Sequence, residues 1–320
     1  MLKEFDVICI GAALVDMVAK IERHPIDDDE VFVSNFQLLS GGAAANTAYA
    51  CARLGLKTAF IGKLGYKDEF GIKIIKDFKE VSLDTTLIKY SREHGTGSAY
   101  VAINKEGDRR IYAFSGAANL LSTDDIKSED LVKTKTIFLS SLRNLESFRK
   151  AAKIAKRNNI PVILNPGMLI IEQGFDSIQN LFALVEILII SKREFQNLFD
   201  LEDNKLNEQI IEGKAKILFK LGIKVIIVTM GKKGAIILNS EKSELIKPIK
   251  VDQVVDTTGA GDAFSAGFMY GFIRNFSYKF EDLKYNVIIG NTIAGKCIQQ
   301  LGARNGIPTA DELALFSYDY

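Results

Sequence analysis

Short apolar segments alternate with longer amphipathic segments through the second half of the chain. Residues 145–157 and 207–221 are amphipathic, with apolar side chains at the spacing of one helix face. Strands joined through helices in this way pair in parallel, and helices then cover both faces of the sheet. We therefore predict an α/β fold with a doubly wound, mainly parallel sheet. Its predicted strands are residues 5–11, 136–140, 160–164, 185–190 and 225–229.

Two earlier segments break this alternation. Residues 18–39 and 97–114 alternate polar and apolar side chains and have little helical character. Strands inserted into a βα chain imply a small separate sheet. We predict a single domain over residues 1–320, with a β lid formed by insertions at about residues 12–39 and 96–115. A surface hairpin with no role is the alternative.

Charge and hydropathy exclude several classes of partner. The 320 residues include 41 Lys and Arg and 40 Asp and Glu, a formal net charge of +1, so no overall field attracts nucleic acid or an anionic membrane. No uninterrupted apolar run approaches the length of a membrane-spanning helix, and the first residues lack the apolar core of a signal peptide. We expect a cytoplasmic protein with no nucleic-acid partner and no membrane partner.

Cysteine and histidine are scarce. Cys9, Cys51 and Cys297 are odd in number, widely spaced and set in apolar surroundings. Buried thiols in a reducing cytosol explain them better than disulfides or metal ligands. With His24 and His94 as the two histidines, the chain has little material for a zinc site or a histidine-based triad.

A run of small residues opens a long apolar segment. Gly259, Ala260 and Gly261 precede a proline-free stretch that reaches Phe272, so we predict a helix that begins within this run. Unpaired N–H groups and the helix dipole at such a start favour an anion such as phosphate. Asp262 follows at once, and a carboxylate there suits a general base for a hydroxyl that attacks the phosphate. The alternative is a tight turn with a carboxylate that the dipole alone favours.

Further polar groups follow the first predicted strand and a glycine turn. Asp16 lies beyond the carboxyl end of strand 5–11, where ligands of open α/β sheets bind, and could accept hydrogen bonds from a polyhydroxy ligand. A turn residue is the alternative for Asp16. Gly41 and Gly42 permit close approach of the backbone to a ligand, and Asn46 offers both a donor and an acceptor to hydroxyl groups.

Three motifs carry a resemblance to a known family. Residues 256–264, DTTGAGDAF, resemble the C-terminal signature of the ribokinase-like (PfkB) carbohydrate kinases. Residues 41–48, GGAAANTA, and 62–71, GKLGYKDEFG, are similar to the N-terminal signature. The resemblance implies a ribokinase-like fold whose small sheet is a lid over the substrate and often a dimer contact. It also implies phosphorylation of an alcohol by ATP.

The resemblance assigns residues on the nucleotide side. Glu194 aligns with a family Glu that acts on magnesium and phosphates through water, whereas Ser191 and Asn165 depart from the family's Asn and Asp. Thr229 and Gly231 would face the phosphates or ribose, in a loop that resembles the family's nucleotide loop and ends at Gly234. A turn between a strand and a hairpin is the alternative for this loop.

Two features remain near the C-terminus, a misleading motif of another kind and a further part of the resemblance. Residues 290–297, GNTIAGKC, fit the phosphate-loop pattern but end in Cys where Ser or Thr would hold magnesium. They continue an apolar helix, which we interpret, with Asn291, as a wall of the adenine pocket. A monovalent cation, with potassium as the candidate, is implied at Asp256 and the carbonyls near Cys297, Gly302 and Gly306.

Three hypotheses for function follow. The leading one is an ATP-dependent kinase, with Mg²⁺ carried by ATP, that phosphorylates a hydroxyl of a sugar and forms a homodimer through the lid. Asp262 is then the general base and Gly259, Ala260 and Gly261 the anion hole. A nucleoside kinase of the same family is the first alternative, since Ala43 stands where ribokinase proper carries Lys. A kinase-shaped binding protein without catalysis is the second.

Overall fold

Fourteen strands and eleven helices make up the described fold, a computed structural model that covers residues 3–202 and 206–316. The strands are β1 Phe5–Gly11, β2 Leu14–Ile21, β3 Val33–Gly41, β4 Thr58–Ile61, β5 Lys63–Gly65, β6 Lys89–Ser91, β7 Gly97–Ile103, β8 Arg109–Phe114, β9 Thr134–Ser140, β10 Val162–Asn165, β11 Ile187–Ser191, β12 Val225–Thr229, β13 Ala235–Leu238 and β14 Ser243–Ile246. The helices are α1 Ala43–Arg53, α2 Glu69–Glu80, α3 Ser128–Leu131, α4 Leu145–Arg157, α5 Gly167–Ile171, α6 Phe175–Phe182, α7 Lys192–Leu198, α8 Glu208–Leu221, α9 Ala260–Asn275, α10 Phe280–Cys297 and α11 Ala310–Phe316.

The main sheet has eight strands in the order β14-β13-β12-β11-β10-β9-β1-β4. Neighbours from β12 to β4 pair in parallel, and β13 and β14 add an antiparallel edge. Alternate side chains of β1 pack on opposite faces, with Val7 and Cys9 in one apolar cluster and Ile8 and Ile10 in the other. Helices α1, α9 and α10 cover the first face, and α4, α6 and α8 cover the second. The predicted α/β fold with a doubly wound, mainly parallel sheet is confirmed.

The boundaries of several elements differ from their prediction by one or two residues. Strand β9 begins at Thr134, and β10 begins at Val162, where it pairs with Ile137. Strand ends are fixed by the partner strand, which local apolar periodicity does not contain. Residues 290–297 lie inside the continuous helix α10, so the phosphate-loop pattern there is accidental.

A small separate sheet, as predicted, has the order β3-β2-β7-β8. Strand β2 pairs with β3 antiparallel and with β7 in parallel, and β7 pairs with β8 antiparallel. Large apolar side chains stay exposed on its outer strands, among them Phe36 at 53% and Tyr112 at 66%. We call this sheet the lid; that it belongs to a single domain over residues 1–320 stays a prediction.

Two further observations concern the cysteines and the apolar length of the helices. Cys9, Cys51 and Cys297 are buried and free of disulfide bonds, in agreement with their apolar surroundings. In the part of the chain that the structure describes, no helix combines the length and apolar character that crossing a bilayer requires.

Helices α9 and α10 pack closely where Gly267 of α9 faces Gly290 of α10. A Cβ placed on Gly267 would lie 2.9 Å from the Cα of Gly290 and 2.9 Å from the carbonyl oxygen of Ile289. Backbone atoms cannot move away as a flexible side chain can, so the close crossing requires glycine at residue 267.

We expect Gly267→Ala to lower the free energy of unfolding by about 1–3 kcal/mol, the usual cost of overpacking a core. Gly213→Ala is the matched control, because Gly213 is also inside a helix but has nothing within 4 Å of its added Cβ. That control should gain up to about 1 kcal/mol from helix propensity. Urea unfolding of both variants measures the difference, and equal stability would contradict the close crossing.

Candidate active site

The loop before α9 presses its backbone against the C-terminal segment. Gly259 has φ 77°, and a Cβ there would lie 2.6 Å from the Cα of Ala303, so residue 259 must be glycine. Helix α9 begins at Ala260, within the predicted run. The N–H of Ala260 donates to the carbonyl of Thr257 at 3.3 Å, whereas Gly261 is exposed and has open space around it. An anion has access to this helix start from the Gly261 side.

Asp262 stands in the first turn of α9 and is largely withdrawn from solvent. Its Oδ2 accepts a hydrogen bond from Nδ2 of Asn46 at 3.0 Å. Desolvation raises the pKa of Asp262 to about 7, although the Asn46 hydrogen bond and the charge of Arg304 both act to lower it, and the charge of Glu194 raises it. A carboxylate with this pKa can accept a proton near neutral pH.

Asn46 projects from α1 and is only 6% exposed. While its Nδ2 donates to Asp262, its Oδ1 accepts a hydrogen bond from Nε of Arg304 at 2.9 Å. Both ends of the amide are therefore engaged by protein groups, and the acceptor ligand that we predict for Asn46 would share it with Asp262. Gly42, which precedes α1, has φ 94°.

Arg304 is not among the residues predicted from sequence. It is 8% exposed, and its hydrogen bond to Asn46 joins positions 258 residues apart. Burial lowers the pKa of Arg304 to about 10, and the nearby carboxylates of Asp77, Asp262 and Asp16 oppose that shift. One signal was present: a long charged side chain in the small-residue segment 302–307, GARNGI, needs a buried partner.

Asp16 lies on the lid strand β2, against the glycine turn that ends β3. A Cβ on Gly41 would lie 2.3 Å from Oδ2 of Asp16, and a Cβ on Gly42 would lie 2.5 Å from the carbonyl oxygen of Ala12. Residue 42 must therefore be glycine where the turn meets the β1–β2 junction, and Gly41 leaves space for the Asp16 carboxylate. Burial raises the pKa of Asp16 to about 6, opposed by the charge of Arg304. Asp16 and Asp262 thus face the same guanidinium.

Ser191 and Glu194 form a capping box at the start of α7. Ser191 Oγ accepts from the N–H of Glu194 at 3.2 Å, and the Glu194 carboxylate accepts from the N–H of Ser191 at 2.8 Å. The departure from the family's Asn at residue 191 therefore supplies a helix cap. Asn165, the other departure, donates from Nδ2 to Ser265 Oγ at 3.4 Å.

The loop of Thr229, Gly231 and Gly234 turns from β12 into the antiparallel strand β13, which is the hairpin alternative. Gly231 nevertheless lines an open pocket of about 800 Å³ together with Lys192 and Arg193 at the start of α7. Two cations beside a backbone turn suit phosphate oxygens, so a hairpin and a nucleotide loop are compatible here.

Gly234 and Asn291 meet at the end of β14 rather than at this pocket. A Cβ on Gly234 would lie 2.0 Å from the carbonyl oxygen of Ile246. Asn291 donates to the carbonyls of Ile246 at 3.4 Å and Lys247 at 3.0 Å. Both residues fix the segment that leaves β14, which gives each of them a structural role whether or not a nucleotide base packs nearby.

Asp256 and the residues predicted with it gather beside the anion loop. Its Oδ1 accepts from the N–H of Thr258 at 3.0 Å, its Oδ2 accepts from the N–H of Gly302 at 2.9 Å, and these bonds outweigh its partial burial, so its pKa lies below the ordinary value. The lid contributes Arg109, whose Nη2 lies 3.4 Å from the carboxylate.

Backbone carbonyls of the neighbouring segments lie around Cys297. Sγ of Cys297 is within 3.7 Å of the Thr258 carbonyl and 3.6 Å of the Ala303 carbonyl. Gly306 lies against the backbone of residue 297, since a Cβ there would be 2.7 Å from the Cys297 carbonyl oxygen. A carboxylate with several carbonyl oxygens is the donor set of a hard cation.

A divalent metal has few protein ligands here. Across residues 3–202 and 206–316, no group of three or more His, Cys, Asp and Glu side chains is placed to hold a metal ion. Magnesium bound to ATP phosphates usually takes only one or two carboxylates and keeps several waters. Glu194 offers one such carboxylate, and its charge acts on Asp262. A cation between the two carboxylates would relieve this repulsion.

Comparison with known proteins agrees with this arrangement. Residues 4–310 match the family model described as pfkB family carbohydrate kinase. Ribokinase of Staphylococcus aureus (strain COL) is 29% identical over 311 residues, 96% of this chain and 98% of that protein. Nucleoside kinase of Methanocaldococcus jannaschii is 25% identical over 307 residues, 96% of this chain and 95% of that protein.

A solved structure extends the likeness to three dimensions. Arabidopsis thaliana ribokinase complexed with ribose and ATP superposes with a TM-score of 0.86 and 27% identity, and the match covers 100% of both chains. Its fold agrees with the parallel sheet and separate lid described above. With a family match over residues 4–310 and a fold shared over its whole length, this chain belongs to the pfkB family of carbohydrate kinases.

Proposed function

We propose that this pfkB-family enzyme is an ATP-dependent kinase that phosphorylates a hydroxyl group of a sugar, with Asp262 as the general base. The observation that carries the proposal is the desolvated carboxylate of Asp262, with a pKa of about 7, in the first turn of a helix whose start is open to an anion. A base at that pKa, next to a phosphate site, suits deprotonation of an attacking alcohol.

The proposed reaction moves one proton and one phosphoryl group. The acceptor hydroxyl gives its proton to Asp262 while its oxygen bonds to the γ-phosphorus, and the bond from that phosphorus to the β,γ-bridging oxygen breaks to release ADP. Gly259, Ala260 and Gly261 are the proposed anion hole, where N–H groups at the start of α9 balance charge on the transferred group. Ala260 would exchange its weak bond to Thr257 for one to the anion.

The acceptor is proposed to bind between the lid and α1. Asp16 offers carboxylate oxygens to its hydroxyl groups, Gly41 and Gly42 bring backbone close, and Asn46 donates from the amide that also holds Asp262. Because Asp16 lies on a strand that is paired on both sides, with β3 and with β7, its backbone is fixed before the ligand arrives. Such preorganisation favours a small polyhydroxylated substrate.

The nucleotide is proposed to lie toward β11 and β12. Glu194, with Ser191 as its helix cap, would hold ATP-bound Mg²⁺ through water, and Mg²⁺ supplies charge that offsets the phosphates when bound. Thr229 and Gly231 would contact phosphates or ribose, supported by the basic pocket beside Gly231. Gly234 and Asn291, which hold the segment that leaves β14, are the remaining residues that we propose on the nucleotide side, near the adenine.

Assembly, cation and compartment complete the proposal. Exposed apolar side chains on β3 and β8 support a homodimer through the lid. Potassium is proposed at Asp256 and the carbonyls near Cys297, Gly302 and Gly306, and a cytoplasmic location agrees with free buried thiols. A nucleoside kinase is the alternative, supported by the archaeal relative, and a catalytically inactive binding protein is the second alternative.

Replacing the base should stop the chemistry without unfolding the protein. We expect Asp262→Asn to lower kcat by about two to four orders of magnitude, the range for a lost general base, while ATP and sugar still bind. ADP release with a panel of sugars and nucleosides measures kcat and also identifies the acceptor class. Asp176→Asn is the matched control, an exposed acid in the first turn of α6. A folded Asp262→Asn enzyme that keeps most of its kcat would overturn the assignment.

The pH dependence should carry two acidic groups. Asp262 must be ionised to take the hydroxyl proton, and Asp16 binds the acceptor hydroxyl groups more strongly when ionised; their pKa values are raised to about 7 and about 6. Because kcat/KM follows the free enzyme, its logarithm for the acceptor should rise with pH up to about 7, with a limiting slope approaching two below about pH 6. Asp16→Asn should reduce that slope to one and raise KM for the acceptor. An unchanged slope in that variant would remove Asp16 from the ionising pair.

Potassium should activate the enzyme relative to sodium or lithium at matched ionic strength. An ion at Asp256 would order the adjoining anion loop, because Thr258 and Gly302 are hydrogen-bonded to the same carboxylate. Asp256→Asn should abolish the difference between the salts, and steady-state rates measure it. Equal rates of the unmodified enzyme in all three salts would exclude the ion.

A further inference from the structure

The buried guanidinium of Arg304 and the carboxylate of Asp262 meet at opposite ends of the Asn46 amide. Nε of Arg304 donates to Oδ1 of Asn46 at 2.9 Å, and Nδ2 of Asn46 donates to Oδ2 of Asp262 at 3.0 Å. The three side chains come from the segment after α10, from α1 and from α9. They form one line of hydrogen bonds across the interior of the site.

The Asn46 amide can take only one orientation in this line of hydrogen bonds. A guanidinium has only donors, so the atom of Asn46 that faces Arg304 must be the carbonyl oxygen, and the NH₂ group must face Asp262. Without Arg304 the amide is free to turn by 180° about its terminal bond. Its oxygen would then point at the Asp262 carboxylate, and two acceptors would face each other.

Arg304 is itself held by its surroundings rather than by a full set of hydrogen bonds. Its guanidinium carbon lies 5.0 Å from the ring centre of Tyr49 and 5.6 Å from that of Phe78. Nη1 is 3.8 Å from Oδ2 of Asp77, and within the described ranges neither Nη1 nor Nη2 makes a hydrogen bond. Two aromatic rings and one carboxylate thus leave the guanidinium little rotational freedom, so its Nε stays directed at Oδ1 of Asn46.

We propose that Arg304 is a positioning residue for phosphoryl transfer, which fixes the Asn46 amide so that its NH₂ group holds the Asp262 carboxylate toward the acceptor hydroxyl. The proposal rests on the proposed role of Asp262 as the base. It assigns Arg304 no contact with the substrate or ATP, and it gives a chemical reason for a costly buried charge.

Charge supplies a second route by which Arg304 acts on the base. Asp262 is influenced by the cation of Arg304 and by the anion of Glu194 on α7, and it acts in turn on the thiol of Cys297 on α10. Arg304 also faces the carboxylates of Asp77 and Asp16. Its charge lowers the pKa of Asp262, so removal of that charge moves ionisation of the base to higher pH.

Two substitutions separate orientation from charge. In Arg304→Lys the positive charge remains but the Nε donor is lost, so we expect kcat to fall about tenfold, as for a misplaced group, with the acidic limb of the kcat profile in place. In Arg304→Met both are lost, so kcat should fall by about a hundredfold and the limb should move to higher pH. A merely structural role would not produce this split.

The matched control is Arg53→Met. Arg53 donates from Nε to the carbonyl of Ile307, so it also ties α1 to the C-terminal segment but does not touch Asn46. We expect its kcat and pH profile to stay as in the unmodified enzyme. A fall in kcat equal to that of Arg304→Met would mean that loosening the segment is the whole effect, and would overturn the proposal.

A double substitution tests the route through Asn46. Asn46→Leu should lower kcat at saturating sugar about as much as Arg304→Lys, and the double variant should be no slower than the slower single variant. Multiplied effects would show that Arg304 acts elsewhere and would contradict the proposal. If Arg304→Met does not fold, as shown by its melting curve, this cycle with Arg304→Lys decides.

Failure of the proposal is distinct from failure of the proposed function. An Asp262→Asn enzyme that keeps its kcat removes the base itself. An inactive Asp262→Asn enzyme beside an unaffected Arg304→Met enzyme leaves the base and removes only Arg304.

Discussion

The structure depends on one hydrogen bond between two helix starts. Asn46 on α1 donates to Asp262 on α9 across 216 residues of sequence. Each helix follows a glycine at positive φ, Gly42 before α1 and Gly259 before α9, a backbone conformation that glycine adopts without strain. Two helix dipoles then point at one space, and both favour negative charge there. Two residues that are far apart in the sequence are therefore joined where the chemistry is proposed.

Burial and hydrogen bonding set the pKa values of the acidic groups in the site. Asp16, Glu194 and Asp262 all have pKa values raised by loss of water, whereas Asp256, held by backbone N–H groups, has a lowered one. The first three can change protonation or interact with a bound cation, and the fourth stays ionised. Four carboxylates near one helix start therefore differ in role because their hydrogen-bond partners differ.

Sequence patterns predict what is local. Apolar periodicity predicts five of the eight main-sheet strands and the α4 helix, and small residues predict the start of α9, because both depend on neighbours in the chain. Strand ends at Thr134 and Val162 depend on partner strands, and Arg304 depends on Asn46, a contact no window contains. Gly234 illustrates the same limit: its motif suggests a ligand, while its nearest neighbour is the carbonyl of Ile246.

The short junction between β1 and β2 has a consequence for the choice of acceptor. Only residues 12 and 13 separate strand β1 of the main sheet from the lid strand β2 that carries Asp16, while Asp262 stays with the helices that cover the main sheet. A sugar that bonds to both carboxylates, as proposed, would span the lid and the main sheet. Its binding would then depend on the angle between the two sheets at residues 12 and 13, so the shape of this short junction would help to select the acceptor.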